Sequence, residues 1–300
     1  MKGNTFFHKK YCLFWIVIIF CIIFASGCKG GGVAQKDQSG PAGEQAVVFS
    51  GNGMVKETRM TMKEMLEVPE ARYEHVYSAI NNWPTKKKYA ARGVKLAALL
   101  EAAGLKDEAR CLTVKGKDGF EWSFTREQLL GTKRYYFPGV LAGDPAGAEP
   151  VEPIIAYEYL ENSDNLSEAR ADDLCLIVPQ ANVNEQTNYA FVKGVGEIVA
   201  AVEDPGRWPV AAVFPPEGKI AGGDTVKLQH KDLGLVKMYY TLDGSTPTEN
   251  STLYNPSTYQ PELNKPIRID QDTTIKVLVK GFGKHDSDIA EFHYQVRQGG

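Results

Sequence analysis

Between Arg92 and Leu130 the hydrophobic positions change period twice. Val94, Leu96, Leu99, Leu100 and Ala103 recur close to one face at the helical period of about 3.6 residues, which predicts a helix. Gly104 follows as its left-handed cap, because glycine takes positive φ without a steric penalty. Arg110–Lys115 then reads as a strand and Lys117-Asp118-Gly119 as a tight turn. Phe120–Phe124 is the return strand, with Phe120, Trp122 and Phe124 alternating onto one face. Thr125 is placed to cap a second helix, and Gln128 completes a capping box. These boundary signals agree with one another, as they do in a specified fold.

The flanking segments are mostly β. Ala46–Ser50 and Lys56–Thr61 read as strands around the Gly51-Asn52-Gly53 turn, and Met62–Leu66 as a short helix stopped by Pro69. Tyr73, His75 and Tyr77 alternate with Glu74, Val76 and Ser78 as in a strand. Leu141–Glu152 is a Gly/Pro/Ala loop, Pro153–Leu160 a short strand or helix, and Asn162–Asp173 an exposed polar insertion. Leu174–Val178 is an apolar strand ended by Pro179, and Phe191–Val202 a strand pair. A Pro/Gly linker at 204–210 separates this part, 46–203, from a second domain at 211–300. There Thr225–Gln229, Val236–Thr241, Pro266–Ile269, Thr274–Lys280 and Ile289–Val296 alternate with turn signals, the spacing of a small β-sandwich.

The N-terminus changes the picture. Lys2, Lys9 and Lys10 precede an apolar run of about fourteen residues, shorter than the roughly twenty that span a bilayer. The run ends in Ala25-Ser26-Gly27-Cys28, which resembles the lipobox of bacterial lipoproteins. That resemblance implies a signal peptide at 1–27, lipidation of Cys28, a flexible tether at 28–45, and a folded part on the extracytoplasmic face of the cell membrane. An uncleaved anchor helix is the alternative. Removing the signal takes the formal charge from −3 to −6, and no basic patch is present to displace counterions from nucleic acid. Cys111 and Cys175 remain, either paired as one disulfide or, the preferred reading, as small buried hydrophobes in separate strands. No CxxC, HxxxH or HExxH spacing appears, so no metal site is expected; calcium at Asp243 or Asp286 lacks a ligand ladder.

GVKLAALLEAAG followed by a strand, KDGF and a short helix resembles the molybdopterin-binding domain of sulfite-oxidase-like oxidoreductases, over about Ser50 to Val202. The resemblance implies an α+β fold and, in catalytic members, a molybdenum-binding cysteine near Ser78–Ile80. This chain has Ser78, Ala79 and Ile80 there. A serine hydroxyl is neither soft nor charged, so no cofactor is expected, with molybdopterin as the alternative. Tyr240–Pro247 and Asp286-Ser287-Asp288 resemble the C-terminal immunoglobulin-like domain of chitobiases and β-hexosaminidases. Such modules are usually appended spacers. In this one, Asp243-Gly244 should make a hairpin turn and Asp288 should accept from backbone amides. The expected fold class is thus a sulfite-oxidase-like α+β domain followed by an all-β immunoglobulin-like sandwich.

Candidate chemistry is polar rather than catalytic. No GxSxG, Walker or Rossmann pattern is visible, and His75 and Ser78 should point to opposite faces of their strand. Asn81, Asn82 and Trp83 sit where the resembling family opens its pocket, and amides beside an indole suit small polar ligands. Arg134 and Tyr135, in an aromatic–basic run that also reads as a buried sheet edge, and Gln186 and Asn188, after a strand end, complete the candidate pocket. The Lys86–Lys88 run reads as a solvated surface. The expectation is a non-catalytic lipoprotein, held to the membrane by its lipid, that binds a small ligand or a surface protein. The alternatives are an exported molybdenum-cofactor oxidoreductase and a cell-wall or carbohydrate-binding protein.

Overall fold

The computed structural model describes residues 45–297. The signal-like segment, Cys28 and nearly all of the tether lie outside the described residues. The fold is predominantly β, with few and short helices. Among the described residues no helix is long and apolar enough to cross a membrane.

The first domain opens with β1 (Ala46–Ser50), β2 (Thr58–Thr61) and α1 (Met62–Glu67). Thr61 and Glu64 close a reciprocal capping box on α1, which buries Met62 and Met65. β3 (Arg72–Ile80) and β4 (Lys86–Lys95) form a long antiparallel pair, and α2 (Leu96–Ala103) follows directly. Val94, grouped with the helix by its spacing, lies in β4 instead; α2 buries Leu96, Leu99, Leu100 and Ala103 and stops at Gly104, whose φ is +90°. Gly93 is needed where β4 is irregular, since a Cβ there would lie 2.6 Å from the Ile155 carbonyl oxygen.

The hairpin is β5 (Cys111–Gly116) and β6 (Glu121–Thr125). The capping box at Thr125 and Gln128 is present, but the helix it starts is a single π-type turn, Glu127–Gly131. Short β7 (Tyr135–Tyr136) and β8 (Glu149–Pro150) pair with each other rather than with the hairpin sheet. β9 (Ile154–Glu161) resolves the strand-or-helix choice as a strand, and β10 (Arg170–Ile177) takes the last residues of the segment expected to be an insertion. The first four residues of β10 are exposed and the last four buried, so only its second half looks like a strand in the sequence.

β11 (Val192–Lys193) and β12 (Val195–Ala201) are not a paired hairpin. Gly194 lies between them, and they belong to two sheets of order β2-β1-β12-β5-β6 and β11-β10-β9-β4-β3. β12 pairs parallel with β1, so the first and last strands of the domain lie side by side. Phe49, Leu112, Phe124 and Ile198 of one sheet share a core with Tyr77, Val94, Ile155 and Leu176 of the other and with Leu99 and Leu100 of α2.

The second domain is a sandwich of two sheets. β13 (Ala212–Phe214), β15 (Thr225–Gln229) and β18 (Ile267–Arg268) form the smaller. The larger has β14 (Gly218–Ala221), β20 (Ala290–Arg297), β19 (Thr273–Lys280), β16 (Lys237–Thr241) and β17 (Thr252–Leu253), in that order. Its core reaches back into the Pro/Gly stretch: Trp208 is buried and its indole N–H donates to the Gly281 carbonyl at 3.0 Å. Asp243 and Gly244 do not join two strands tightly, because β16 pairs with β17 only after residues 242–251. The Asp243 carboxylate instead accepts from the amide and hydroxyl of Ser245. Asp288 is exposed beside Arg207, and the Val279 amide donates to Ser287 Oγ at 2.9 Å instead.

Candidate functional site

Two loops of the second domain close onto the first. Phe282, in the turn after β19, is buried in the core of the first domain, 5.1 Å from Phe124 and 5.8 Å from Tyr189 by ring centroids. Gln128, whose Oε1 accepts from the Thr125 amide, also reads this turn. Its Nε2 donates to the carbonyls of Gly281 (2.9 Å) and Lys284 (3.1 Å), and its Oε1 accepts from Gly283 N (2.9 Å). The second loop brings Ser257 Oγ and Thr258 N to the Asn82 carbonyl, and Pro256 O to Gln186 Nε2. Gln128→Ala should cost about 2 kcal/mol, the net value of several part-buried hydrogen bonds. Urea denaturation would read it; an unchanged midpoint would show that this side chain does not hold the domains together.

Between the loops lies a cleft of about 450 Å³, lined from both domains. Arg134, 4% exposed, stands on the first-domain wall. Its guanidinium donates to the Gln128 and Pro179 carbonyls and to Glu185 Oε2 at 3.3 Å. Glu185 in turn accepts from the Ala181 amide. The opposite wall carries Lys280, bridged to Glu249 and Asp286 at 3.0 Å each. Burial opposes its charge, but these carboxylates outweigh it and hold the Lys280 pKa above the usual lysine value. Lys237, at the start of β16, is 7% exposed and has one hydrogen bond, to the Asn255 carbonyl at 3.3 Å. Burial alone pulls its pKa down to about 8. Burial, and Glu185 nearby, push the phenols of Tyr189 and Tyr239 up.

The seven residues singled out by the sequence fall in five places. Arg134 and Gln186 line the cleft. The Asn81 carboxamide caps its own turn, accepting from the amides of Trp83 and Thr85. Asn82 and Trp83 belong to the domain contact, Trp83 stacking on Tyr259 at 5.2 Å. Tyr135 packs on a satellite core of Ile80, Phe137, Val140 and Val183, its amide donating to Gln180 O. Asn188 donates to the Tyr89 hydroxyl at 3.0 Å, at a separate cavity of about 320 Å³ that Cys175 also lines. Both cysteines in the described residues are free. Burial pushes the Cys175 thiol up to about 12 and raises that of Cys111. His75 and Ser78 are apart: His75 Nε2 lies 3.3 Å from Glu149, while Ser78 Oγ accepts from Phe137 N. Among the described residues no group of three or more His, Cys, Asp or Glu side chains could hold a metal ion.

Residues that the sequence reading did not single out include Lys237, Tyr239, Lys280 and Phe282, all from the second domain. A readable signal existed for Lys237: it interrupts an apolar run between Val236 and Met238, and all three are buried. Residues 215–291 match the family model of the chitobiase/beta-hexosaminidase C-terminal domain. This immunoglobulin-like module supplies one wall of the cleft, more than the role of an appended spacer. The sulfane dehydrogenase SoxCD from Paracoccus pantotrophus is a weak structural match to the chain. The TM-score is 0.36 at 13% identity, covering 82% of this chain and 69% of that one. No curated protein matches the chain.

Proposed function

We propose that this is a non-catalytic, membrane-anchored extracytoplasmic lipoprotein that binds a small polar ligand in the cleft shared by its two domains, the first of them a degenerate molybdopterin-binding scaffold. The observation that carries the reading is the composition of the cleft. Deeply buried Arg134 and Lys237 face one space from two domains, with no nucleophile–base pair beside them. Pockets of this size with a few convergent polar groups are the usual places for small ligands.

Molybdopterin does not fit the residues present. The resemblance places the metal-binding cysteine near Ser78–Ile80, and Ser78 there is fully buried with its hydroxyl accepting from Phe137 N at 3.0 Å. Cys175 lies on another strand, and a thiol with a pKa near 12 is protonated at neutral pH, whereas metals bind the thiolate. The chain purified from molybdate-fed cells should therefore contain no stoichiometric molybdenum by elemental analysis. Ser78→Cys should be equally empty, because position 78 is packed under Phe137. One molybdenum per chain in the natural protein would overturn the proposal in favour of an oxidoreductase.

A further inference from the structure

The charges around the cleft are not equally answered. Arg134 has Glu185, and Lys280 has Glu249 and Asp286. Lys237 has no carboxylate within ion-pair distance among the described residues, only the Asn255 carbonyl. A buried ammonium without a counter-charge is costly, and a ligand carboxylate would relieve that cost.

The buried groups left unmet beside Lys237 are neutral. Gln186 Nε2 donates to Pro256 O, but its Oε1 is buried without a donor. Tyr189 and Tyr239 line the same cleft, and their hydroxyls have no protein acceptor among the described residues. A bare inorganic anion would answer Lys237 and leave these groups unmatched. A hydroxylated ligand answers them, and the rings of Tyr189, Tyr239 and Phe282 offer apolar faces for its carbon skeleton. The volume of about 450 Å³ suits a molecule of sugar size.

We infer that the cleft takes a sugar acid, with the carboxylate on Lys237 and the hydroxyls on Tyr189, Tyr239 and Gln186. The inference rests on the shared-cleft reading above and names its ligand class. The test is calorimetric titration of the detergent-solubilised full chain with D-glucuronate, D-glucose and acetate, in the natural sequence and in Lys237→Met. D-glucuronate should bind about tenfold or more tightly than either control, the value of one charge-assisted contact. Lys237→Met, confirmed as folded by its melting curve, should bind D-glucuronate no better than D-glucose. Equal affinity for acetate and D-glucuronate, or an unchanged affinity in Lys237→Met, would overturn the inference. Binding of D-glucose as tight as that of D-glucuronate would also remove the sugar acid while leaving the shared cleft as a binding site. Stoichiometric molybdenum in the same preparation would instead remove the reading beneath it.

Discussion

Arg134→Met is expected to destabilise the protein by about 3–5 kcal/mol, the usual cost of breaking a buried ion pair by removing one partner. The guanidinium is buried, and its donors are divided among the carbonyls of Gln128 and Pro179 and the carboxylate of Glu185. Methionine keeps most of the stem's packing but leaves these acceptors without a donor and Glu185 without its counter-charge. The π-type turn Glu127–Gly131 and the loop after Pro179 would lose the group that ties them together. Urea unfolding would show a lower midpoint at an unchanged slope. Adding Glu185→Gln should recover part of the loss, since the stranded charge is then gone; a double variant no better than the single one would argue against the charge as the cause.

Lys237→Met is expected to act in the opposite direction. The folded-state pKa of Lys237 is about 8 against 10.5 for the free side chain. Between these values the unfolded chain holds the proton that the folded chain gives up, so natural stability rises with pH across that window. Below pH 8 both states are protonated and the folded protein bears the full penalty, about 3 kcal/mol at 1.36 kcal/mol per unit. Methionine removes that penalty and loses the bond to Asn255 O, worth about 1 kcal/mol. At pH 7 the variant should therefore be the more stable by about 2 kcal/mol. The advantage should shrink as pH rises past 8 and be gone by pH 10.5. The difference between the two proteins cancels their other titrations. A pH-independent difference would mean that Lys237 is not held as a strained cation.

Local patterning was enough for most elements and not for their partners. β1 and β15 match the expected bounds, and the other anticipated strands of the second domain begin or end within a residue or so. Period-two alternation and turn chemistry act within a few residues, which is why they can be read directly. The division of Phe191–Val202 between two sheets depends on β1, far away in sequence, and no local signal records it. Two-residue strands such as β7 and β17 are too short to show a period.

The candidate site was legible only in part, for the same reason. Arg134 and Gln186 were visible as polar residues near strand ends, but the wall they face comes from β16, the end of β19 and the turn after it, in another domain. Asn82 and Trp83 looked like ligand-binding residues because amides and indoles suit both ligands and protein contacts, and here a tyrosine of the second domain takes the indole face. Proline and glycine content marks the boundary at 204–210 but cannot reveal that Trp208 belongs to a core.

Phe282 has a consequence for the order of synthesis. A chain leaving the ribosome completes the whole first domain many residues before this phenylalanine appears, so Phe124 and Tyr189 wait beside an unfilled hollow. The first domain is thus finished by its neighbour. Transplanting either half onto a foreign partner would separate a plug from its socket.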